Sequence, residues 1–142
     1  MGLTAEFAEA ARRALILALI AALKAELAVV KANIEHFEAI LKTLQDTDSS
    51  LTDLKTDLND NLYENISNYD LTGDTPWGGN KKNLASTNLM TAKASKTLYN
   101  SDVEDLKSNI GTAEDTTSEK LTKLYSKRDD LEERIAELES QL

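Results

Sequence analysis

Between Gly2 and Gly73 the chain contains no glycine and no proline, so nothing that readily ends a helix interrupts its first half. Within that stretch apolar residues fall at Leu27, Val30, Ile34, Phe37, Leu41, Leu44, Leu51, Leu54, Leu58 and Leu62, mostly in steps of three and four. That spacing places them on one face of a helix. The pattern predicts a first helix from about Thr4 to Ser67. The helix either runs on through Asp46-Thr47-Asp48-Ser49-Ser50 or kinks or breaks briefly there, because those side chains compete for backbone hydrogen bonds.

The breakers that the first helix lacks are concentrated in residues 69–80, which hold Gly73, Pro76, Gly78 and Gly79 and read as the turn. A second helix follows, starting after Thr75-Pro76 or near Asn80. Its apolar thread repeats every seven residues through Val103, Ile110, Thr117, Leu124, Leu131 and Leu138. A companion thread moves from three residues later at Leu106 to four later at Leu121, Ile135 and Leu142. This is a stripe drifting around a helix whose 3.6-residue turn does not divide seven. Gly111 marks its weakest point. The fold class expected is therefore all-α: a long antiparallel two-helix hairpin, coiled-coil-like, whose leftover apolar edges call for a larger helical bundle.

Composition narrows the function. Sixteen Lys and Arg against 25 Asp and Glu give a formal charge of −9, which repels phosphate backbones and argues against nucleic acid as a partner. No cysteine is present, so disulfides, thiolate metal sites and Cys nucleophiles are excluded together. The apolar run at residues 14–23 follows Arg12 and Arg13 as an export leader's would. It stops at Lys24, short of the roughly 20 residues a membrane span needs, and Glu6 and Glu9 occupy the region that a leader keeps basic. A soluble helix is the expectation, with a membrane role disfavoured.

Residues 1–32 differ from the rest. They hold eleven alanines and neither serine nor asparagine, whereas Ser, Thr, Asn and Asp dominate the polar positions of residues 33–142. Alanine is the strongest helix former, and an Ala/Leu/Ile/Glu/Lys/Arg stretch resembles idealised helix of the kind chosen by design. Two regions are expected: an Ala-rich helical extension over residues 1–32, either engineered or replaced or else a natural Ala-rich helix that packs closely against a neighbour, and a hairpin domain over 33–142.

Candidate chemistry is sparse, and no catalytic, cofactor or metal site is expected. His36 is the only imidazole and has no Ser or Cys spaced to partner it. The segment from Asp46 to Ser50 opens like a calcium loop, but Leu51 stands where a glycine is required and Asp57 where a bidentate Glu is required. The acidic pairs Asp129-Asp130 and Glu132-Glu133 beside Lys127-Arg128 are explained by pairing along a helix face. The most informative local feature is Trp77-Gly78-Gly79, a large apolar ring placed in a turn. The indole either folds back to lock the open end of the hairpin, or projects as an anchor for a partner.

A helix, a turn bearing Trp-x-Gly and a second helix resemble the small Trp-x-Gly helical hairpin proteins of type VII secretion systems. Residues 33–142 look closest to the branch that accompanies LXG-domain toxins in Gram-positive bacteria, with Asn80-Lys81-Lys82 after the turn and a highly charged closing coil at residues 127–142. The motif here is Trp77 with Gly79. A second family feature, Tyr-x-x-x-Asp/Glu on the C-terminal helix, is matched by Tyr125 and Asp129. The resemblance implies a non-enzymatic targeting or chaperone subunit. Such a subunit pairs with the helical N-terminal domain of a toxin, or with a sister hairpin, in the bacterial cytoplasm and is then exported with it. Trp77 and Gly79 would fix the hairpin tip and Tyr125 with Asp129 would present the export signal. The packing surface would be Leu27, Val30, Ile34, Phe37, Leu41, Leu44, Leu51 and Leu58 against Val103, Leu106, Ile110, Leu121, Leu124, Leu131, Ile135 and Leu138. The rival reading is a structural coiled-coil element, or an engineered helical fusion that mediates assembly as a homo-oligomer, with residues 1–30 as its working part.

Overall fold

The computed structural model describes the backbone of residues 2–63 and 80–142, and the side chains of residues 2–61 and 83–142. Helix α1 spans Gly2–Asp57 and passes into a π-helical segment, Leu58–Tyr63; helix α2 spans Asn80–Ser140. The protein is all-α, a helical hairpin whose two long helices pack against each other. The expected turn at residues 69–80 lies, up to Asn80, outside the described residues, and Trp77 and Gly79 lie there too.

No break occurs at residues 46–50. Thr47 donates its hydroxyl to the Thr43 carbonyl at 2.8 Å and Thr52 to that of Asp48 at 3.1 Å, so these side chains bond back along the helix rather than competing with it. Helix α2 is likewise continuous through Gly111, where a Cβ would meet no atom within 4 Å. Gly111 therefore contributes only the entropy cost of glycine in a helix. Gly111→Ala is expected to raise stability by about 0.5–1 kcal/mol, read as a rise of a few degrees in thermal midpoint by circular dichroism. An unchanged or lower midpoint would contradict the open space found there.

The chain divides into two compact units, Met1–Lys42 with Asp115–Leu142, and Thr43–Glu114. In the first unit the seam of α1 runs through Ile16, Ile20, Leu23, Leu27, Val30, Ile34, Phe37 and Leu41, alternating steps of four and three without a fault. Ile16 and Ile20 form one cluster with Ile135 and Leu138; Val30 and Ile34 form another with Leu121 and Leu131. Leu23 and Leu27 pack against both clusters, while Phe37, Leu41, Leu124 and Tyr125 pack against the second. The composition change at residue 32 thus falls inside a continuous packed seam, between Val30 and Ile34.

Polar rungs flank this seam at the same period. Lys24 pairs with Glu139 at 3.0 Å, Lys31 with Glu132 at 3.4 Å, and the Tyr125 hydroxyl donates to Glu38 at 2.5 Å. Each rung lies seven residues further along α1 and seven back along α2, which makes the pair antiparallel. Lys127 and Glu26 bridge the opposite flank at 3.1 Å. Exposed ion pairs contribute at most about 1 kcal/mol each, whereas each buried aliphatic side chain contributes roughly 1.5–3 kcal/mol. The seam therefore holds the helices together, and the rungs fix their register.

In the second unit the seam of α1 and the π-helical segment that follows keeps the seven-residue spacing but takes in polar residues: Leu44, Asp48, Leu51, Lys55 and Leu58 are half-buried, with Asn59 beside them. Lys55 bonds Glu104, and the Asn100 amide donates to the Asn59 oxygen at 3.0 Å. Helix α2 presents Ala85, Leu89, Ala92, Lys96, Tyr99, Val103, Lys107 and Ile110, with Val103 and Ile110 buried. From Lys96 to Lys107 this seam steps three, four, four. That is an eleven-residue repeat, which locally unwinds the pair relative to straight heptads. The same shift leaves Leu106 off the seam, 47% exposed, and puts Lys107 on it.

Candidate functional site

Two surfaces and one polar cluster stand out once the seams are accounted for. The cluster surrounds Tyr125. The backbone of α2 places Tyr125 beside the seam residue Leu124, with its ring packed on the second core cluster and its hydroxyl reaching Glu38. The Arg128 guanidinium lies over the Tyr125 ring at 5.1 Å and bonds Asp129 at 3.0 Å. Tyr125 and Asp129, paired in the sequence motif, are thus linked through the residue between them. The motif did not point to Glu38, because a contact across the hairpin depends on a register that no single segment encodes. Nearby, Lys120 stands over the Phe37 ring at 5.5 Å, and His36 meets Phe37 edge to face at 5.6 Å.

The hydrogen bond to Glu38 raises the Tyr125 phenol above its ordinary pKa of 10, with desolvation and the Glu38 charge acting in the same direction and Arg128 opposing them. Because the folded value is the higher one, the fold favours the neutral phenol. That stabilisation is fully present below the unfolded phenol's pKa and is lost as pH rises through the folded one. In a spectrophotometric titration at alkaline pH, Tyr125 is expected to ionise later in the native chain than in the Glu38→Gln variant, with Tyr125→Phe identifying its share of the signal. Coincident titration curves for the native chain and Glu38→Gln would refute the assignment.

Other ionisable groups serve the helix surface. Arg12 holds Glu9 through two hydrogen bonds and lowers its pKa, aided by Arg13, and Arg12 also donates to the Gln141 carbonyl at 3.2 Å. Lys55 lowers that of Glu104. A shallow, open depression is lined by Ala5, Glu6, Glu9, Ala10 and Arg13, all from one helix. Among the described residues no three His, Asp or Glu side chains gather closely enough to hold a metal ion, and no helix is long and apolar enough to cross a membrane. Asp46 and Asp48 lie within continuous α-helix, where the backbone cannot wrap a cation as a calcium loop does.

The first surface belongs to the second unit. Leu84, 62% exposed, and Leu98, 68% exposed, are four turns apart on one face of α2, with Leu106 at its edge and Met90 outward as well. Leu54 of α1 is also exposed in this unit. The second surface is the outer face of α1 in the first unit. Phe7, Ala11, Ala14, Ala18, Ala21, Ala25, Ala28 and Ala32 succeed one another in steps of four and three, and all are exposed. Leu3, Leu15, Leu17 and Val29 border that row and are exposed too. Residues 14–23 are therefore apolar on every side of the helix, although Ile135 and Leu138 cover only one side. The sequence shows that row of alanines only as a high alanine content; its phase becomes legible once the inner seam is placed.

Of the helix-packing residues predicted from sequence, Val30, Ile34, Val103, Ile110, Leu121, Leu131, Ile135 and Leu138 are buried, while Leu27, Phe37, Leu41, Leu44, Leu51, Leu58 and Leu124 are half-buried. Outside that predicted set lie Ile16 and Ile20, which belong to the first core cluster, and Leu23, which packs against it. Comparison with protein-family models, with curated proteins and with solved structures gives no match.

Proposed function

We propose that this protein is a non-enzymatic binding module, a targeting or chaperone partner that pairs with the helical N-terminal domain of an LXG-type toxin and accompanies it through type VII secretion. The observation that carries this reading is the set of exposed leucines along one side of α2 in the second unit, Leu84, Leu98 and Leu106, which the pairing of α1 with α2 leaves uncovered. Leucines spaced along one helix face can serve as the separate anchors on which a further amphipathic helix docks. The Trp77-Gly79 and Tyr125-Asp129 motifs, in that order along the chain, supply the family resemblance. In this reading Tyr125, joined to Asp129 by Arg128, presents the export signal on the surface of α2.

Native mass spectrometry of the full chain mixed with a candidate LXG-type N-terminal domain tests the proposal. A stable complex containing the two chains in equal numbers is the expected result. Failure to bind any such domain at micromolar concentration would overturn it. Deleting residues 1–30 is a poor control, because it removes Ile16, Ile20 and Val30 from clusters that Ile135, Leu138, Leu121 and Leu131 complete.

The rival reading, a structural element mediating assembly, is favoured by a different observation, the uncovered outer face of α1.

A further inference from the structure

We infer that the outer face of α1, from Leu3 to Ala32, is a self-association surface on which α1 of a second copy packs antiparallel. The inference is independent of the toxin-partner reading, since it uses the first unit alone. A helix that is apolar on every side is buried in its working state, and residues 14–23 are covered on one side only. The large exposed side chains Leu3, Phe7, Leu15, Leu17 and Val29, with the alanines between them, offer on the order of 800 Å² per chain, the share that each partner contributes to a standard specific interface. Few soluble monomers leave that much contiguous apolar surface in water.

Charge selects a copy of this chain as the occupant. The protein as a whole is strongly acidic, yet residues 2–42 carry five basic and five acidic side chains, so two α1 helices meet without net repulsion. One border of the face, Ala8, Leu15, Ala22 and Val29, holds no charge. On the other border stand Lys24 and Lys31, which Glu139 and Glu132 of the same chain already neutralise. The aliphatic stems of these lysines would lie over Leu17 and Ala10 of the second copy.

Size complementarity selects the direction. In a parallel pair the two Phe7 rings meet at one level and wedge the helices apart, whereas every other layer is alanine and draws them together. Antiparallel pairing about the midpoint of the row puts Phe7 against Ala32, Ala11 against Ala28, Ala14 against Ala25 and Ala18 against Ala21, with large facing small at both ends. The helix dipoles also oppose one another in this arrangement. The contact is isologous and closes at two copies.

Sedimentation or light scattering of the full chain measures the mass directly. A dimer is expected at micromolar concentration, and Ala18→Glu with Ala25→Glu should weaken it at least 100-fold while leaving helicity unchanged, because both side chains are exposed in the single chain and Glu is a good helix former. The chain has no cysteine, so single cysteines report direction. Mixed Ala11→Cys and Ala28→Cys chains should cross-link rapidly, and Ala28→Cys alone should not. A monomeric full chain, a dimer indifferent to Ala18→Glu with Ala25→Glu, or fast cross-linking of Ala28→Cys with itself would each overturn the inference. So would a monomer that binds vesicles of neutral phospholipid through this face. None of these results bears on whether Leu84 and Leu98 bind a toxin domain.

Discussion

Truncating Leu121 to alanine is expected to cost about 2–5 kcal/mol, enough to abolish much of the stability of a protein this size. Leu121 is 4% exposed and lies in the cluster with Val30, Ile34 and Leu131. A two-helix seam has one layer of side chains between backbones, so a lost isobutyl group cannot be replaced from a deeper core. The void is bounded by β-branched Val30 and Ile34, whose single preferred helical rotamer keeps them from collapsing into it. By contrast, Leu106→Ala removes the same atoms from a residue that stands off the seam, and should cost well under 1 kcal/mol. Urea denaturation of the two variants side by side is decisive: comparable midpoints would mean that the seam does not run where Leu121 and Leu106 place it.

That contrast also marks the limit of what the sequence makes legible. The steps of three and four from Leu27 to Leu44 and from Leu121 to Leu138 suffice to define two amphipathic helices, because polar residues separate the apolar ones and the period can be counted. Upstream the count fails. Around Ile16 and Ile20 every residue from Ala14 to Leu23 is apolar, so the inner face cannot be told from the outer one until Ile135 and Leu138 are seen to meet it. Near Leu106 hydropathy points to the wrong residue. An eleven-residue step brings Lys107 to the seam instead, and lysine tolerates this because its stem is apolar while its ammonium reaches water. Asp48 and Lys55 escape notice at seam positions for the same reason: the helix continues through polar residues when its neighbours hold the register. The candidate signal around Tyr125 was half legible. Its intrahelical spacing is local, but Glu38, which holds the hydroxyl, is found only through the sevenfold ladder of rungs that begins at Lys24 and Glu139.

The largest functional effect is expected from Leu84→Glu combined with Leu98→Glu. Replacing a docked leucine by glutamate forfeits the burial of its side chain, roughly 1.5–3 kcal/mol, and leaves a carboxylate to be desolvated, so two such changes should weaken complex formation by a factor on the order of 100–1,000. Both residues are well over half exposed and lie outside the packed clusters, so the substitutions remove a docking surface without opening the hairpin. Glutamate also retains helix propensity and adds to an already acidic chain, which preserves solubility. A charge gain alone, placed away from the patch as Ser118→Glu on the exposed side of α2, controls for long-range repulsion and should change affinity less than threefold. Titration of each variant against the same toxin domain separates the cases. A loss for Ser118→Glu about half that of the double variant in free energy, in proportion to the charge each adds, would assign the effect to the net charge of the chain. Unchanged binding by the double variant would move the docking surface off α2 of the second unit, and the export reading would then have to rest on the surface around Tyr125 and Asp129, where Glu38→Gln and Asp129→Ala would become the variants that matter.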